Sequence, residues 1–188
     1  MSGRAMAELL RETEGLDQAA FVARHPHPFL LREAMRPSGE WSALPRSSGA
    51  EQPTAKIRTA SVPTGEASRD SLVYDVRPAD ASRGPGPVLL GRGSGCDVVI
   101  DDASISSRHA ELAPEVDEDG ETTWTVADLG SSNGTFLDGK QLEPGQRRPI
   151  EDSMSLRLGP AVKLQFFGPA GFHLFLTFYR RIPPRGSR

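Results

Sequence analysis

Large apolar residues alternate with polar ones in short runs through the second half of this sequence, and no other feature constrains the fold as strongly. Leu72, Tyr74 and Val76 alternate in SLVYDVRP, and Trp124 and Val126 alternate with Thr125 and Ala127. Leu156 and Leu158 alternate with Ser155 and Arg157, and Val162, Leu164 and Phe166 alternate with Lys163 and Gln165. A period of two, repeated between turn residues, is the pattern of half-buried antiparallel strands. Several such runs over roughly a hundred residues predict an all-β fold, a sandwich of two antiparallel sheets.

The pattern changes at both flanks. Met6, Leu9, Leu10 and Thr13 follow helical spacing until Gly15 interrupts, and Asp17 stands where it can cap a second helix in LDQAAFVAR. Pro26 and Pro28 hold the following HPHPFLL extended. Residues 1–35 are therefore read as an N-terminal helical segment. Residues 36–70 are rich in Pro, Ser, Gly, Thr and Ala and are read as a disordered linker, because they offer almost no large side chain to bury. The sandwich is assigned to 71–168 and a helix packed beside it to 169–182, with Phe172, Phe175, Leu176 and Tyr179 on one face. Pro183 and Pro184 stop that helix, leaving 183–188 as a tail.

Charge and composition exclude several function classes. With 22 Lys and Arg against 25 Asp and Glu, the net charge is −3, and no basic stripe is present to neutralise nucleic-acid phosphates. No apolar run approaches the roughly 20 residues of a membrane span. Arg11, Glu12 and Glu14 break up any secretory apolar region, and Cys96 is the sole cysteine. A reducing compartment, the cytoplasm, is the expectation. No cofactor or metal is expected; His25 and His27 are two ligands with proline between them, read as part of an extended docking segment.

Three patches read as turns: Gly91–Arg92 in VLLGRGSGCDVVID, Ser106 to His109 in ASISSRHAEL, and Ser131 to Gly134 in DLGSSNGTFLDG. In a sandwich, loops distant in sequence meet at the ends of the sheets. Together these turns supply an arginine, several hydroxyls and an asparagine, an inventory suited to a phosphate on a peptide. Gly-Arg, then Ser-x-x-His, then Ser-Ser-Asn-Gly-Thr, in that order over about residues 70–167, resembles the forkhead-associated (FHA) family, in its stand-alone bacterial type. That family's fold is a two-sheet antiparallel sandwich, and the resemblance implies phosphothreonine-dependent protein binding in Ser/Thr kinase signalling, without catalysis. It implies a phosphothreonine-containing partner, a Ser/Thr protein kinase or its substrate, and neither nucleic acid nor membrane.

Residue by residue, Arg92 resembles the arginine that holds the phosphopeptide, Ser106 the serine that bonds a phosphate oxygen, and Ser132 a second phosphate contact. Asn133 resembles the asparagine that clamps the peptide backbone, while Gly91, His109 and Gly134 look architectural. The pattern departs at Ser107, where the family often has Arg, Lys or Asn, with Arg108 one place later; both are included among the phosphopeptide-binding candidates. The alternative reading is a phospho-independent scaffold on the same fold. Gly130-x-Ser132-x-Gly134 also matches a hydrolase nucleophile elbow, but that motif needs a helix after the turn and Thr135–Phe136–Leu137 reads as a strand. Thr54, Thr59 and Thr64 in the linker are candidate phosphorylation sites whose products the domain itself would bind.

Overall fold

The structure is a computed structural model and describes residues 3–32, 71–116 and 118–181. The expected linker with its three threonines and the tail, 183–188, lie outside the described residues. The larger sheet contains β1 (Arg4–Ala5), β2 (Phe29–Arg32), β3 (Leu72–Asp75), β8 (Thr135–Leu137), β9 (Lys140–Gln141), β11 (Ser155–Leu158) and β12 (Val162–Phe167). Their order across the sheet is β1-β3-β2-β12-β11-β8-β9. The smaller sheet contains β4 (Val88–Gly91), β5 (Val98–Val99), β6 (Ala110–Val116), β7 (Thr122–Asp128) and β10 (Arg148–Ile150), ordered β10-β7-β6-β4-β5. Neighbouring strands are antiparallel except β4 and β5, which pair parallel with Leu90 opposite Val98.

The expected two-sheet sandwich is present. Its core joins Leu30, Tyr74, Leu156 and Leu164 from one sheet to Val88, Leu90, Leu112 and Val126 from the other. The larger sheet is also covered on its outer face. Phe29, Leu31, Val73 and Phe167 point outward into a second apolar cluster with Met6, Leu9, Phe21, Phe172, Phe175 and Leu176. Helices α1 (Met6–Glu12), α2 (Gln18–Arg24) and α3 (Pro169–Arg181) supply the latter six side chains. The Asp17 carboxylate accepts the Ala20 N–H at 2.8 Å, capping α2 as its position in the sequence predicts.

Residues 29–32, assigned from the sequence to the N-terminal segment, hydrogen-bond as a strand between β3 and β12. Leu30 stands opposite Tyr74 on one side and Phe166 on the other. The helical stretch at the N-terminus is preceded by Arg4–Ala5, which pairs with β3. Glu115 belongs to β6, opposite Thr123, and β6 runs to Val116 before the chain turns into β7 at Thr122. No described helix is long and apolar enough to cross a membrane.

Candidate binding site at the joined loops

Three loops that leave strands of the smaller sheet meet: β4–β5 and β5–β6 within it, and β7–β8, which crosses to the larger sheet. Hydrogen bonds between them converge on Ser106. Its carbonyl accepts the Arg92 N–H at 3.0 Å and its Oγ accepts the Ser132 N–H at 3.0 Å. One residue thus fixes two others that lie 14 and 26 positions away in the chain. The Ser106 hydroxyl proton remains available to an incoming acceptor.

His109 locks this arrangement from beneath and is fully buried. Its Nδ1 accepts the Ser106 N–H at 3.1 Å, which assigns the ring proton to Nε2, and Nε2–H donates to the Gly134 carbonyl at 3.2 Å. A single neutral imidazole therefore bridges the second loop to the third. Burial pushes its pKa below the usual histidine value, against the opposing pull of the Gly134 carbonyl and the Asp128 charge.

Arg92 is exposed, and its Nε donates to the Ile105 carbonyl at 3.3 Å. The guanidinium is held at its base while its terminal nitrogens have no partner among the described residues. Asn133 is exposed and donates from Nδ2 to the Ser104 carbonyl at 2.9 Å, leaving Oδ1 and one N–H for a ligand. Ser107 and Arg108 are both exposed on the turn before His109. What is fixed at Ser107 is its carbonyl, which accepts from the Gly93 N–H at 3.0 Å and from the buried Cys96 thiol at 3.0 Å. Cys96 is thus a packed residue bracing the loop, and burial raises its thiol pKa.

Glycine is required at two positions for different reasons. A β-carbon at Gly91 would overlap the Ser107 carbonyl, so the two loops approach only without a side chain there. Gly134 has φ +76°, and a β-carbon would also lie 2.7 Å from Gln141 Nε2. The elbow reading of Ser132 meets β8 where a helix is needed, and both His109 ring nitrogens are engaged by backbone groups.

Asp128 organises the third loop and was not singled out from the sequence. Only 1% exposed, it accepts the Ser131 and Thr135 hydroxyls at 2.6 Å each, the Gly130 N–H at 2.9 Å and the Ser131 N–H at 3.0 Å. Burial alone would raise its pKa, but those four donors outweigh it and hold the carboxyl below the usual range. The loop carrying Ser132 and Asn133 is thereby wrapped around a fixed charge.

The family model described as FHA domain matches residues 88–159, from β4 to just past β11, a span that contains all three loops. The FHA domain-containing protein FhaB of Mycolicibacterium smegmatis is 40% identical over 76 residues, 40% of this chain and 44% of that protein. FhaB of Mycobacterium tuberculosis is 42% identical over 64 residues, 34% of this chain and 38% of that protein. The matched region thus spans less than half the length of these curated relatives. Among solved structures, the MEK1 FHA domain in complex with a HOP1 phosphothreonine peptide is similar at 26% identity with a TM-score of 0.41. That similarity covers 51% of this chain and 87% of that one.

Proposed function

The chain is an FHA-domain protein, and we propose that this domain captures phosphothreonine in an extended segment of a partner protein. The observation that carries the reading is the convergence on Ser106, which sets Arg92, Ser106 and Ser132 around one exposed spot. A phosphothreonine brings a charge of about −2 and three strong acceptor oxygens. Arg92 offers free guanidinium donors, Ser106 and Ser132 offer hydroxyls, and Arg108 lies on the neighbouring turn with its charge exposed. Asn133, anchored by one N–H, presents its remaining amide groups to the peptide backbone.

Hydrogen bonds involving a charged group contribute roughly 1.5–3 kcal/mol each. Three or four of them total roughly 4.5–12 kcal/mol, and at the upper end, less a few kcal/mol for ordering a peptide, binding reaches about −8 kcal/mol, a micromolar dissociation constant. Affinity of that size suits a reversible contact made by a Ser/Thr kinase and undone by a phosphatase. The partner is accordingly a phosphorylated kinase or kinase substrate.

Calorimetric titration of phosphothreonine peptides against the wild type, Arg92→Ala and Ser106→Ala tests the site. Micromolar binding by the wild type is expected, with at least tenfold weakening in each variant, about 1.4 kcal/mol or more. Equal binding by all three proteins would remove these residues from the site. Equal binding of phosphorylated and dephosphorylated partner would favour the scaffold reading, in which the exposed Ser107 marks a pocket that no longer depends on phosphate.

A further inference from the structure

We infer that Arg32, on the N-terminal strand β2, is a positioning residue for the peptide-clamping Asn133, acting through Asp102 and Ser104. This rests on the phosphopeptide reading above. Arg32 is the last residue of β2, and its Nη2 pairs with Asp102 Oδ2 at 3.1 Å. The other carboxylate oxygen of Asp102 accepts both the Ser104 N–H at 3.0 Å and the Ser104 hydroxyl at 2.7 Å. The Ser104 carbonyl in turn accepts the Asn133 Nδ2–H at 2.9 Å. Each link uses a different atom, so the relay runs from a strand of the larger sheet to the tip of the third loop.

A β-carbon at Gly159 would lie 3.3 Å from the Asn133 Cβ and 3.1 Å from the Ser104 carbonyl, so both groups pack closely over that glycine and the hydrogen bond between them fixes the Asn133 amide there. Asp102 is fixed twice more through its backbone, its N–H to the Ile100 carbonyl and its carbonyl to the Ile105 N–H, both at 3.0 Å. The bonds from Ser104, reinforced by the Arg32 charge, hold the Asp102 carboxyl below the usual range, so it stays an acceptor at neutral pH. The side chains of Arg32 and Asp102 are 20% and 21% exposed, which limits solvent screening of the pair.

This relay separates two parts of the recognition surface. Ser106 is held by the His109 ring, Ser132 by the Ser106 hydroxyl oxygen and the Arg92 Nε by the Ile105 carbonyl, and Arg32 takes part in none of these bonds. Loss of the Arg32 charge should therefore release the backbone clamp and leave the phosphate contacts in place.

The test uses the full chain, with Arg32→Met to remove the charge at similar length and Arg32→Lys to restore it. The ligands are a phosphothreonine peptide selected on the wild type from a degenerate library, and free O-phospho-L-threonine, which has little backbone to clamp. Arg32→Met is expected to weaken the peptide about three- to tenfold while free O-phosphothreonine changes less than about twofold. Arg32→Lys is expected to return peptide binding to within about twofold of wild type. In the unliganded protein, the Asn133 side-chain amide resonances should shift toward free-amide positions in Arg32→Met, with the Ser132 amide unmoved. Unchanged peptide affinity, or parallel losses for both ligands, would overturn the assignment. If the wild type selects no phosphopeptide, the functional reading fails, and the Asn133 resonances still decide whether Arg32 positions that side chain. Should Arg32→Met fail to fold, Asp102→Asn weakens the same charge pair while keeping an acceptor for Ser104, and it carries the same expectations.

Discussion

At the scale of single residues, the site is held by buried polar groups whose protonation states follow from their partners. His109 accepts through Nδ1 and donates through Nε2, so protonation would turn its acceptor into a second donor facing the Ser106 N–H. Its pKa is lowered in the folded protein. Above about pH 6.5 the ring is neutral in both folded and unfolded chains, and its full contribution to stability is present. Below that value the unfolded chain binds a proton that the folded chain resists, so stability falls as pH drops through the folded pKa. For one proton the slope reaches at most about 1.4 kcal/mol per pH unit. His25 and His27 are lowered as well, chiefly by burial, and slope in the same direction. Comparing the wild type with His109→Gln, which keeps both of those residues, isolates the His109 contribution. Urea unfolding between pH 7.5 and 5 should show a shallower pH dependence in the variant, and identical slopes would refute the assignment. Unliganded stability is the proper readout, because phosphothreonine itself takes up a proton near pH 6 and would blur a binding measurement. The turn residues of this site were legible in the sequence because Gly, Ser and Asn in turns announce themselves. Asp128 and Asp102 were not. A carboxylate at a strand end or in a loop usually faces water, and only the converging donors show that Asp128 is buried and that the half-buried Asp102 is turned to its own loop.

At the scale of elements, α3 was readable and β2 was not, for reasons of burial. Phe172, Phe175 and Leu176 recur at helical spacing because α3 buries a single face. Phe29, Leu30 and Leu31 form a continuous apolar run because β2 is buried on both sides, with Leu30 in the sandwich core and its neighbours under the helices. Such a run carries no period to detect. Strand β6 is concealed by Pro114, which has no N–H for a ladder. It is tolerated because pairing with β4 ends at Leu112, leaving that side of β6 open. The helix-to-sheet contact has a measurable weight. Phe172 is fully buried and stacks on Phe29 with ring centroids 4.4 Å apart, with Phe167 at 5.5 Å and Phe175 at 5.7 Å. Phe172→Ala should lower unfolding free energy by about 3–5 kcal/mol, the range for truncating a buried aromatic side chain. Phe178→Ala, on the same helix but 43% exposed, should cost less than about 1 kcal/mol. Equal losses in urea melts of the two variants would mean that α3 is not docked through the Phe172 face.

At the scale of the whole molecule, the N-terminal residues and the sandwich share hydrogen bonds and core, although the FHA match begins only at residue 88. Strand β2 fills the gap between β3 and β12 with paired registers on both sides. Pairings such as Arg32 with Leu72 and Arg32 with Leu164, far apart in the sequence, leave no local trace, so the order of strands in the sheet had to come from the structure. The consequence is a prediction about where the chain can be cut. A fragment starting at residue 71 keeps every motif of the binding loops but loses β2. It thereby loses Phe29, Leu30 and Leu31, which are almost completely buried. At roughly 1.5–3 kcal/mol for each such side chain, the loss is about 5–9 kcal/mol. That is comparable to the entire stability of an ordinary domain, about 5–15 kcal/mol. The cut also leaves β3 without a neighbour in the sheet and opens the edge of β12 to association with other chains. Residues 71–188 should therefore fail to unfold cooperatively in urea and should bind a hydrophobic dye, whereas the full chain should show one sharp transition. If the fragment instead unfolds in a single transition near that of the full chain, β2 is dispensable and the N-terminal segment is only appended to the sandwich. The same comparison bears on the proposed recognition, because Arg32 lies in the removed strand: on that proposal, a fragment that folds should bind a phosphothreonine peptide more weakly than the intact chain.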